Sequence, residues 1–209
     1  MPLGNETLNK FLDDLASDLP APGGGSVAAL GASLAFALVS MVSNLTVGKE
    51  KYRANWDKMK AIAETSEQLR IKSLALMDDD VESFNMYMAA LKMPKETDAQ
   101  KSARADELEK TAKGAAEAPL SMLEFCAKAA GLAVQAAEYG NPNTATDAGS
   151  AAVFAEAAGK AAAYNVRINL SGIKDEAFVA RARERVDSAL AEIAKNCKLA
   201  EAAMEKILK

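Results

Sequence analysis

Three consecutive glycines, Gly23, Gly24 and Gly25, could present bare backbone N–H groups to a ligand. They follow Pro20 and Pro22 and precede a long apolar segment. Glycines immediately before a helix bring backbone donors and the positive end of the helix dipole toward an anion or a polarised carbonyl. A tight turn that lets two helices pack explains the glycines equally well. The prolines argue against the strand that must precede a G-x-G-x-x-A dinucleotide fingerprint.

Two groups of carboxylates have the residue type for acid–base chemistry. Asp78, Asp79 and Asp80 form a run in a segment with helical patterning. Like charges repel there, so we expect one of the three to face inward. Asp147 follows a polar loop and begins a helix, where the dipole favours an acid whether or not it has another role.

A cluster of cations, Lys49, Lys51 and Arg53, flanks Tyr52. Cations favour the C-terminus of a helix, so the cluster is typical of a solvated helix end. If the preceding helix continued, Asn44, Lys51 and Tyr52 would instead share one face and form a polar strip with a cation and a phenol. The spacing leaves both interpretations open.

The chain contains no histidine. This absence removes the commonest general base at neutral pH, the commonest zinc ligand and every Ser-His-Asp arrangement. Cys126 and Cys197 are too few and too far apart for a disulfide framework or a thiolate cluster, so we expect reduced thiols that act as small hydrophobes. Acid–base chemistry must come from Asp, Glu, Lys, Tyr or Cys, and we predict no metal site.

The elements that position these residues are predicted to be helices. The chain has 209 residues, of which 50% are hydrophobic and only 5% aromatic, and alanine is the commonest residue. Alanine is the strongest helix former, and no stretch alternates with period 2 for long enough to predict a strand. We expect one all-α domain over residues 1–209, a bundle of about six helices. The net charge of −4 argues against nucleic-acid binding.

Helical periodicity and helix breakers give the predicted boundaries. Ser26 and Thr146 are the expected N-caps of the second and fifth helices, and Pro119 is expected to kink or divide the fourth. The predicted helices span residues 6–17, 26–47, 56–91, 97–139, 147–170 and 175–208.

The segment at residues 26–47 is long enough to span a bilayer as a helix. It is built largely of Ala, Gly, Ser and Thr, and it has few of the large apolar residues that favour insertion. We therefore expect the central buried Ala/Gly/Ser-rich helix of a bundle rather than a membrane span. No signal peptide is visible before it, so we expect a cytoplasmic protein.

Three motifs are highly specific in this order and spacing: Pro-Gly-Gly-Gly at residues 22–25, Asn-Leu-Thr-Val-Gly-Lys at residues 44–49 and Asp-Ala-Gly at residues 147–149. With them, nearly the whole chain resembles the family of formiminotetrahydrofolate cyclodeaminases and methenyltetrahydrofolate cyclohydrolases. The matching stretches are residues 11–16, 21–26, 41–52, 79–84, 91–95, 140–149 and 163–169. The resemblance implies an all-α fold, a homodimer and a reduced folate substrate.

The stand-alone chain looks closest to the cyclohydrolases of one-carbon metabolism in methylotrophs, since 209 residues leave no room for the formiminotransferase domain to which cyclodeaminases are often fused. A cyclohydrolase adds water to the cationic methenyl carbon of 5,10-methenyltetrahydrofolate and gives 10-formyltetrahydrofolate, with no metal or redox cofactor. An ammonia-releasing cyclodeaminase remains the alternative. A non-catalytic helical scaffold is a third interpretation, in which the polar motifs are caps and turns.

The resemblance also suggests roles for the polar residues. A carboxylate can stabilise the cation and accept a proton from water. Asp147 is the first choice, because it starts a helix within the Asp-Ala-Gly motif, and Asp80 is the second. Lys49 or Lys51 would donate a proton or bind the glutamate tail. The expected substrate-binding residues are Gly23, Gly24, Gly25, Ser26, Asn44, Tyr52, Asn141, Asn143, Asn165 and Arg167.

Asp147 and Asn165 lie 18 residues apart. This spacing puts them in angular phase but separates them by about 27 Å along a straight helix. They cannot both serve one small reacting centre within one helix. We therefore expect two sites, the two ends of a long ligand, or one site shared between subunits.

Overall fold

The computed structural model of the chain describes residues 2–208. Within this range the chain forms six α-helices and no strand, so the predicted all-α bundle is confirmed. The helices are α1 (Leu8–Leu15), α2 (Gly24–Asn44), α3 (Trp56–Leu91), α4 (Asp98–Tyr139), α5 (Ala145–Leu170) and α6 (Glu176–Leu208). Short 3-10 segments occur at Leu3–Asn5, Glu50–Asn55 and Pro142–Thr144.

Helix α2 packs against α3, α4 and α5. Its buried positions are mostly Ala and Ser, including Ala28, Ala32 and Ser33. Such small side chains bring helix backbones close together. A Cβ placed on Gly31 would lie only 2.8 Å from the Cβ of Ala158 on α5. The predicted small-residue helix is therefore confirmed as largely buried, although α4 rather than α2 is the helix that contacts all of the other long helices.

By length and composition alone, α2 could cross a membrane, and among residues 2–208 it is the one helix that passes this test. However, 61% of its most apolar window is buried within the chain. Such burial against neighbouring helices is typical of a core helix rather than of a lipid-facing one.

The predicted start and end of α2 are wrong by a few residues. α2 begins at Gly24, with Gly23 in the extended N-cap position, so Ser26 lies inside the first turn and is not the cap. A carboxylate from α3 covers this helix start in place of a local cap. α2 ends at Asn44, and the chain then turns through Gly48, which has a φ of 83°. Because the helix stops there, the polar strip that a continued helix would form is absent, and the cations follow a helix end.

The predicted N-cap of α5 at Thr146 is also wrong. The 3-10 segment Pro142–Thr144 runs directly into α5, so Thr146 lies in the first helical turn. The preceding loop is capped instead by Asn141, whose side chain accepts a hydrogen bond from the backbone N–H of Asn143.

Pro119 does not divide α4, which is continuous from Asp98 to Tyr139. A proline inside a helix removes one N–H donor and leaves the carbonyl four residues earlier without its usual partner. In α4 that carbonyl belongs to Ala115, and the side-chain amide of Asn169 on α5 donates to it at 2.6 Å. α4 accommodates the proline because a neighbouring helix supplies the missing donor.

Both cysteines are free thiols. Burial raises the pKa of Cys126 to about 12 and that of Cys197 to about 11. Neither thiol ionises at neutral pH, so neither provides a nucleophile or a base. Their predicted role as small hydrophobes is confirmed for both.

Candidate functional site

The carboxylate of Asp80 on α3 covers the first turn of α2. The hydroxyl of Ser26 donates a hydrogen bond to Asp80 Oδ2 at 3.2 Å, and the backbone N–H of Ser26 donates to the same carboxylate. A Cβ on Gly25 would overlap this carboxylate, so the close approach requires glycine there. The glycine run thus leaves room for a carboxylate of α3 to contact the N-terminus of α2, which is the positive end of the helix dipole.

Of the three consecutive aspartates, Asp80 is the one that faces the interior at α2. Asp79 is exposed, and Asp78 accepts a hydrogen bond from the backbone N–H of Leu3 at 2.9 Å. Burial raises the pKa of Asp80 above its ordinary value, and the hydrogen bonds from Ser26 offset part of this effect. A carboxylate with a raised pKa accepts a proton more readily than an exposed one, which suits a general base.

A cavity of about 330 Å³ lies beside Asp80. Phe84, Tyr87 and Met88 of α3 form one wall. They follow Asp80 by four, seven and eight residues, a spacing that keeps all of them on one helical face. The glycine run closes another side. The cavity therefore combines a carboxylate with an aromatic and thioether wall, which suits a flat, partly polar ring.

Two asparagines of α5, Asn165 and Asn169, line another side of the cavity. Asn165 Nδ2 donates to the carbonyl of Ala161 at 2.9 Å, and a Cβ on Gly24 would lie 3.2 Å from the same nitrogen. Asn169 Nδ2 donates to the carbonyl of Ala115. Because each amide NH₂ donates to the backbone, each side-chain oxygen is available to accept a hydrogen bond from a ligand.

A second polar cluster lies at the other end of α2, around the buried Asn141. Its backbone N–H donates to Thr46 Oγ1 at 2.8 Å, and its Nδ2 donates to the carbonyl of Leu45 at 3.3 Å. Its Oδ1 accepts hydrogen bonds from the Tyr52 hydroxyl at 2.9 Å and from the backbone N–H of Asn143 at 3.1 Å. Asn141 thus holds the loop after α4 against the chain that leaves α2, and positions Tyr52.

The other polar and charged residues near this second cluster are mostly exposed to solvent. Lys49, Lys51 and Asn44 are exposed, and Lys51 Nζ lies 5.6 Å from the ring centroid of Tyr52. Asp147 is half-buried in the first turn of α5. The chain that leaves α2 therefore carries two exposed ammonium groups beside a phenol, and Asp147 begins the helix that follows the Asn141 loop.

The two clusters are separated by the length of α2. This helix has 21 residues between Gly24 and Asn44, which corresponds to about 30 Å. α5 is also continuous over its whole length, so it holds Asp147 and Asn165 at opposite ends. The predicted site residues therefore form two groups within one chain.

The structure collects six of the predicted residues at or beside the Asp80 cavity: Gly23, Gly24, Gly25, Ser26, Asp80 and Asn165. Arg167 belongs to neither cluster, because its guanidinium lies 3.8 Å from the carboxylate of Asp187 on α6. Sequence reasoning missed four wall residues that helical spacing from Asp80 and Asn165 could have found: Phe84, Tyr87, Met88 and Asn169. Among residues 2–208 no group of three or more acidic, Cys or His side chains could hold a metal ion.

Residues 7–188 match the sequence model of the formiminotransferase-cyclodeaminase family. Over 189 residues the chain is 43% identical to the methenyltetrahydrofolate cyclohydrolase of Methylorubrum extorquens, covering 90% of this chain and 91% of that protein. It is 33% identical to the formimidoyltransferase-cyclodeaminase of Sus scrofa over 90% of this chain. That match covers 35% of the Sus scrofa protein, so the chain spans about a third of that relative.

The fold is similar to that of a solved structure, the formiminotetrahydrofolate cyclodeaminase of Thermotoga maritima. The TM-score is 0.89 and the sequence identity is 31%, over 98% of each chain. The matched part of the fold therefore includes both ends of α2.

Proposed function

Because the chain belongs to the formiminotransferase-cyclodeaminase family, we propose that it is a methenyltetrahydrofolate cyclohydrolase of one-carbon metabolism. The observation that carries this proposal is its high identity, over nearly the full length of both chains, to an enzyme of that name. The cavity beside Asp80 supports it, since a carboxylate, two amides and an aromatic wall suit a flat, cationic substrate.

The proposed reaction opens the one-carbon bridge between N5 and N10 of the substrate. A water oxygen bonds to the bridging carbon and gives up one proton, which leaves a neutral hydroxyl adduct. N5 then takes up a proton, the bond between the carbon and N5 breaks, and the hydroxyl proton leaves as the formyl carbonyl forms on N10. One proton is released overall. The chemistry requires a base for the water and an acid for N5.

We assign the carboxylate role to Asp80 rather than to Asp147. Asp80 borders the cavity and has a raised pKa, so it can balance the substrate's positive charge and accept the proton from water. Tyr87 lines the same cavity two helical turns further along α3, and its phenol is our candidate for protonating N5. Asp147 is too distant within one chain to act on the same atom.

The remaining cavity groups suit the binding of the pterin. Phe84 and Met88 offer an apolar surface for stacking against its flat ring. Asn165 and Asn169 offer side-chain oxygens that can accept hydrogen bonds from ring N–H groups. These contacts would hold the bridging carbon in reach of the Asp80 carboxylate.

The proposed reaction requires neither a metal nor a redox cofactor. Only water and protons are transferred, so no electrons change hands. The substrate's own positive charge makes the bridging carbon reactive toward water, which is the role that a Lewis-acid metal plays in other hydrolases. The cytoplasm is the proposed location, because two un-ionised free thiols suit a reducing compartment.

A homodimer is part of the proposal. α2 exposes Val27, Leu34 and Met41 at intervals of seven residues, and α5 exposes Tyr164 and Ile168. At 100° per residue, each set lies along one face of its own helix, and in this proposal the two faces form one surface. We call these five residues the α2–α5 face. Tyr164 and Ile168 are 66% and 69% exposed, and large apolar side chains grouped in this way are typical of a subunit interface.

A two-fold axis through the middle of the α2–α5 face would place α2 antiparallel to α2 of a second copy. The glycine end of one subunit would then adjoin the Asn141 end of the other. In this arrangement Lys51, Tyr52 and Asp147 of the second copy would complete the cavity beside Asp80. A shared site would explain why two polar clusters lie about 30 Å apart in one chain.

Cyclodeamination is the second candidate reaction. The similarity to the Thermotoga maritima structure favours it, because that match covers 98% of each chain. In this reaction N10 bonds to the formimino carbon of the substrate and gives its proton to the base. The formimino nitrogen takes up two protons, its bond to the carbon breaks, and it leaves as ammonia, so that the 5,10-methenyl bridge forms.

The two reactions are separated by giving the purified protein each substrate in turn. Loss of the methenyl absorbance measures hydrolysis of 5,10-methenyltetrahydrofolate, and ammonia release measures cyclodeamination of 5-formiminotetrahydrofolate. We expect rapid hydrolysis and little ammonia. Ammonia release without accelerated hydrolysis would make the protein a cyclodeaminase, and inertness toward both substrates would leave only the helical scaffold interpretation.

A further inference from the structure

Serine hydroxyls of α2 donate hydrogen bonds to α3. Ser26 donates to Asp80 Oδ2 at 3.2 Å, and Ser33, seven residues later, donates to the backbone carbonyl of Arg70 at 3.3 Å. The acceptor moves backward along α3 as the donor moves forward along α2, so the two helices run antiparallel. Both hydrogen bonds therefore depend on how far α3 is shifted along α2.

Both helices carry buried serines at intervals of seven residues. These positions are Ser26, Ser33 and Ser40 on α2 and Ser66 and Ser73 on α3, and Asp80 continues the interval on α3. Seven residues make nearly two turns, so each set lies along one side of its helix. In an antiparallel pair, equal intervals place the two sets opposite one another, beginning with Ser26 and Asp80. Ser33 then lies opposite Ser73, one turn from the Arg70 carbonyl that it contacts.

We call Ser33, Ser40, Ser66 and Ser73 the serine seam. Ser66 and Ser73 each donate to the carbonyl four residues earlier in α3, at 2.7 and 2.8 Å. Ser40 Oγ is buried and has no hydrogen-bond partner within residues 2–208. These three side chains therefore contribute small size to a close-packed contact, in which one added methyl group is felt. Ser33 contributes a hydrogen bond between the helices as well.

The contact between α2 and α5 has the same interval. A Cβ on Gly24 would lie 3.2 Å from Asn165 Nδ2, and a Cβ on Gly31 would lie 2.8 Å from the Cβ of Ala158. Each helix advances by seven residues between these two contacts, in opposite directions. The first turn of α2 thus receives Asp80 from α3 and Asn165 from α5. A shift of either helix by one residue would move its cavity side chain by about 1.5 Å.

We propose that the serine seam positions Asp80 for the reaction: it fixes the register of α3 against α2 and so holds the Asp80 carboxylate on the first turn of α2. Ser33 is the central positioning residue, because its hydrogen bond crosses between the two helices. The inference rests on the proposed hydrolysis. A misplacement of about 1 Å can cost 10²-fold in rate, so the register matters for a group that takes a proton from water.

The test is a double-mutant cycle that combines Ser33→Thr with Asp80→Asn. Threonine keeps the hydroxyl but adds one methyl group to the close contact with α3. In the wild-type background we expect kcat for 5,10-methenyltetrahydrofolate hydrolysis to fall about 10-fold. In the Asp80→Asn background the same change should lower kcat less than about 2-fold, because the displaced carboxylate is already absent. Ser33 lies about 10 Å along α2 from Ser26, and sites at this distance without shared contacts usually act additively.

The matched control is Ser43→Thr, which adds the same methyl group to a fully buried serine of α2 outside the seam. The Ser43 hydroxyl donates to the Val39 carbonyl at 2.9 Å, and threonine can keep this bond. Its effect on kcat should be the same in both backgrounds. The Tm values give a second cycle that needs no substrate. The Tm change caused by Asp80→Asn should be smaller in the Ser33→Thr background than in the wild type.

A near-normal kcat for Ser33→Thr, or equal fold-losses in both backgrounds, would overturn the positioning role and leave the proposed hydrolysis intact. A Ser43→Thr effect that also disappears in the Asp80→Asn background would overturn it too, because the seam would then have no special role. Coupled Tm values in a protein that does not hydrolyse the substrate would overturn the proposed function but keep the link between the seam and the Asp80 position. If Ser33→Thr does not fold, Ser33→Ala takes its place in the cycle. It removes the bond between the helices and keeps the small size, so a several-fold loss of kcat should again disappear with Asp80→Asn.

Discussion

The side-chain amide of Asn169 donates a 2.6 Å hydrogen bond to the backbone carbonyl of Ala115. Pro119 creates the opportunity for this bond, because it cannot donate to the carbonyl four residues before it. Both Asn169 and Ala115 line the Asp80 cavity. A proline in one helix therefore fixes the orientation of a candidate ligand-binding amide on another.

The Pro119→Ala variant tests this relationship. Alanine restores an N–H that competes with Asn169 for the Ala115 carbonyl. A proline-to-alanine change in a helix interior can gain up to about 3 kcal/mol, whereas the displaced side-chain bond is worth about 1 kcal/mol. We expect an unchanged or higher Tm together with a several-fold rise in KM. An unchanged KM would mean that the orientation of Asn169 has no role in binding.

The Gly25→Ala variant tests whether the glycine run is needed for the close approach of Asp80 or only for the formation of a turn. Its Cβ would overlap the Asp80 carboxylate, so the carboxylate or α2 must move. We expect a loss of about 1–3 kcal/mol in the free energy of unfolding and a large loss of activity. Gly23→Ala is the control for stability, because no atom lies within 4 Å of its added Cβ. Equal stabilities of the two variants would contradict the described approach of Asp80 to α2.

Asp80→Asn should raise the stability of the protein at neutral pH. The pKa of Asp80 is raised in the folded state, so the folded protein binds its proton more tightly than the unfolded chain. The stability that the Asp80 carboxyl contributes is fully present at pH values below its ordinary pKa of 3.8. This stability is lost as the pH rises through the raised pKa of Asp80 in the folded protein. The gain in Tm from Asp80→Asn should therefore grow between acidic and neutral pH.

The control is the exposed neighbour, Asp79→Asn, for which the Tm difference from wild type should stay near zero across the same pH range. A fall in the Tm of Asp80→Asn at neutral pH would show that the hydrogen bonds from Ser26 outweigh the cost of burying the charge. For the wild type, the same raised pKa predicts that activity rises with pH as Asp80 loses its proton.

Leu34→Glu should convert the proposed dimer into a monomer, because it places a charge in the middle of the α2–α5 face. We expect light scattering to report the monomer mass, and kcat to fall although the Asp80 cavity itself is untouched. Leu199→Glu is the matched control, since Leu199 on α6 is 47% exposed and Leu34 is 44% exposed. A wild-type protein that is already monomeric and active would remove the shared-site arrangement.

Local patterns in the sequence predict most of the fold. The small residues of α2 predict a central helix, and the run Asp78–Asp80 predicts one inward carboxylate, which is Asp80. The N-cap at Ser26 was predicted wrongly because the group that covers the start of α2 comes from 54 residues away. No local pattern gives such a partner.

The walls of the site depend on tertiary contacts in the same way. Asn165 was predicted from its motif, but Asn169 gains its role only through the carbonyl that Pro119 frees on a neighbouring helix. The Asp-Ala-Gly motif and the helix start favour Asp147 over Asp80, but neither feature indicates which cavity lies nearby. The separation of Asp147 from Asn165 was predictable, since it depends only on helical rise.

The rate of 5,10-methenyltetrahydrofolate hydrolysis by Asp80→Asn, compared with the wild type and with Asp147→Asn, tests the central claim most directly. Asparagine keeps the shape of Asp80 but removes its charge, and loss of a positioned acid–base group costs about 10²- to 10⁴-fold in rate. We predict a fall of this size in kcat for Asp80→Asn, with a smaller fall for Asp147→Asn. A near-normal kcat in a folded Asp80→Asn protein would contradict the assignment of the reacting centre to this cavity.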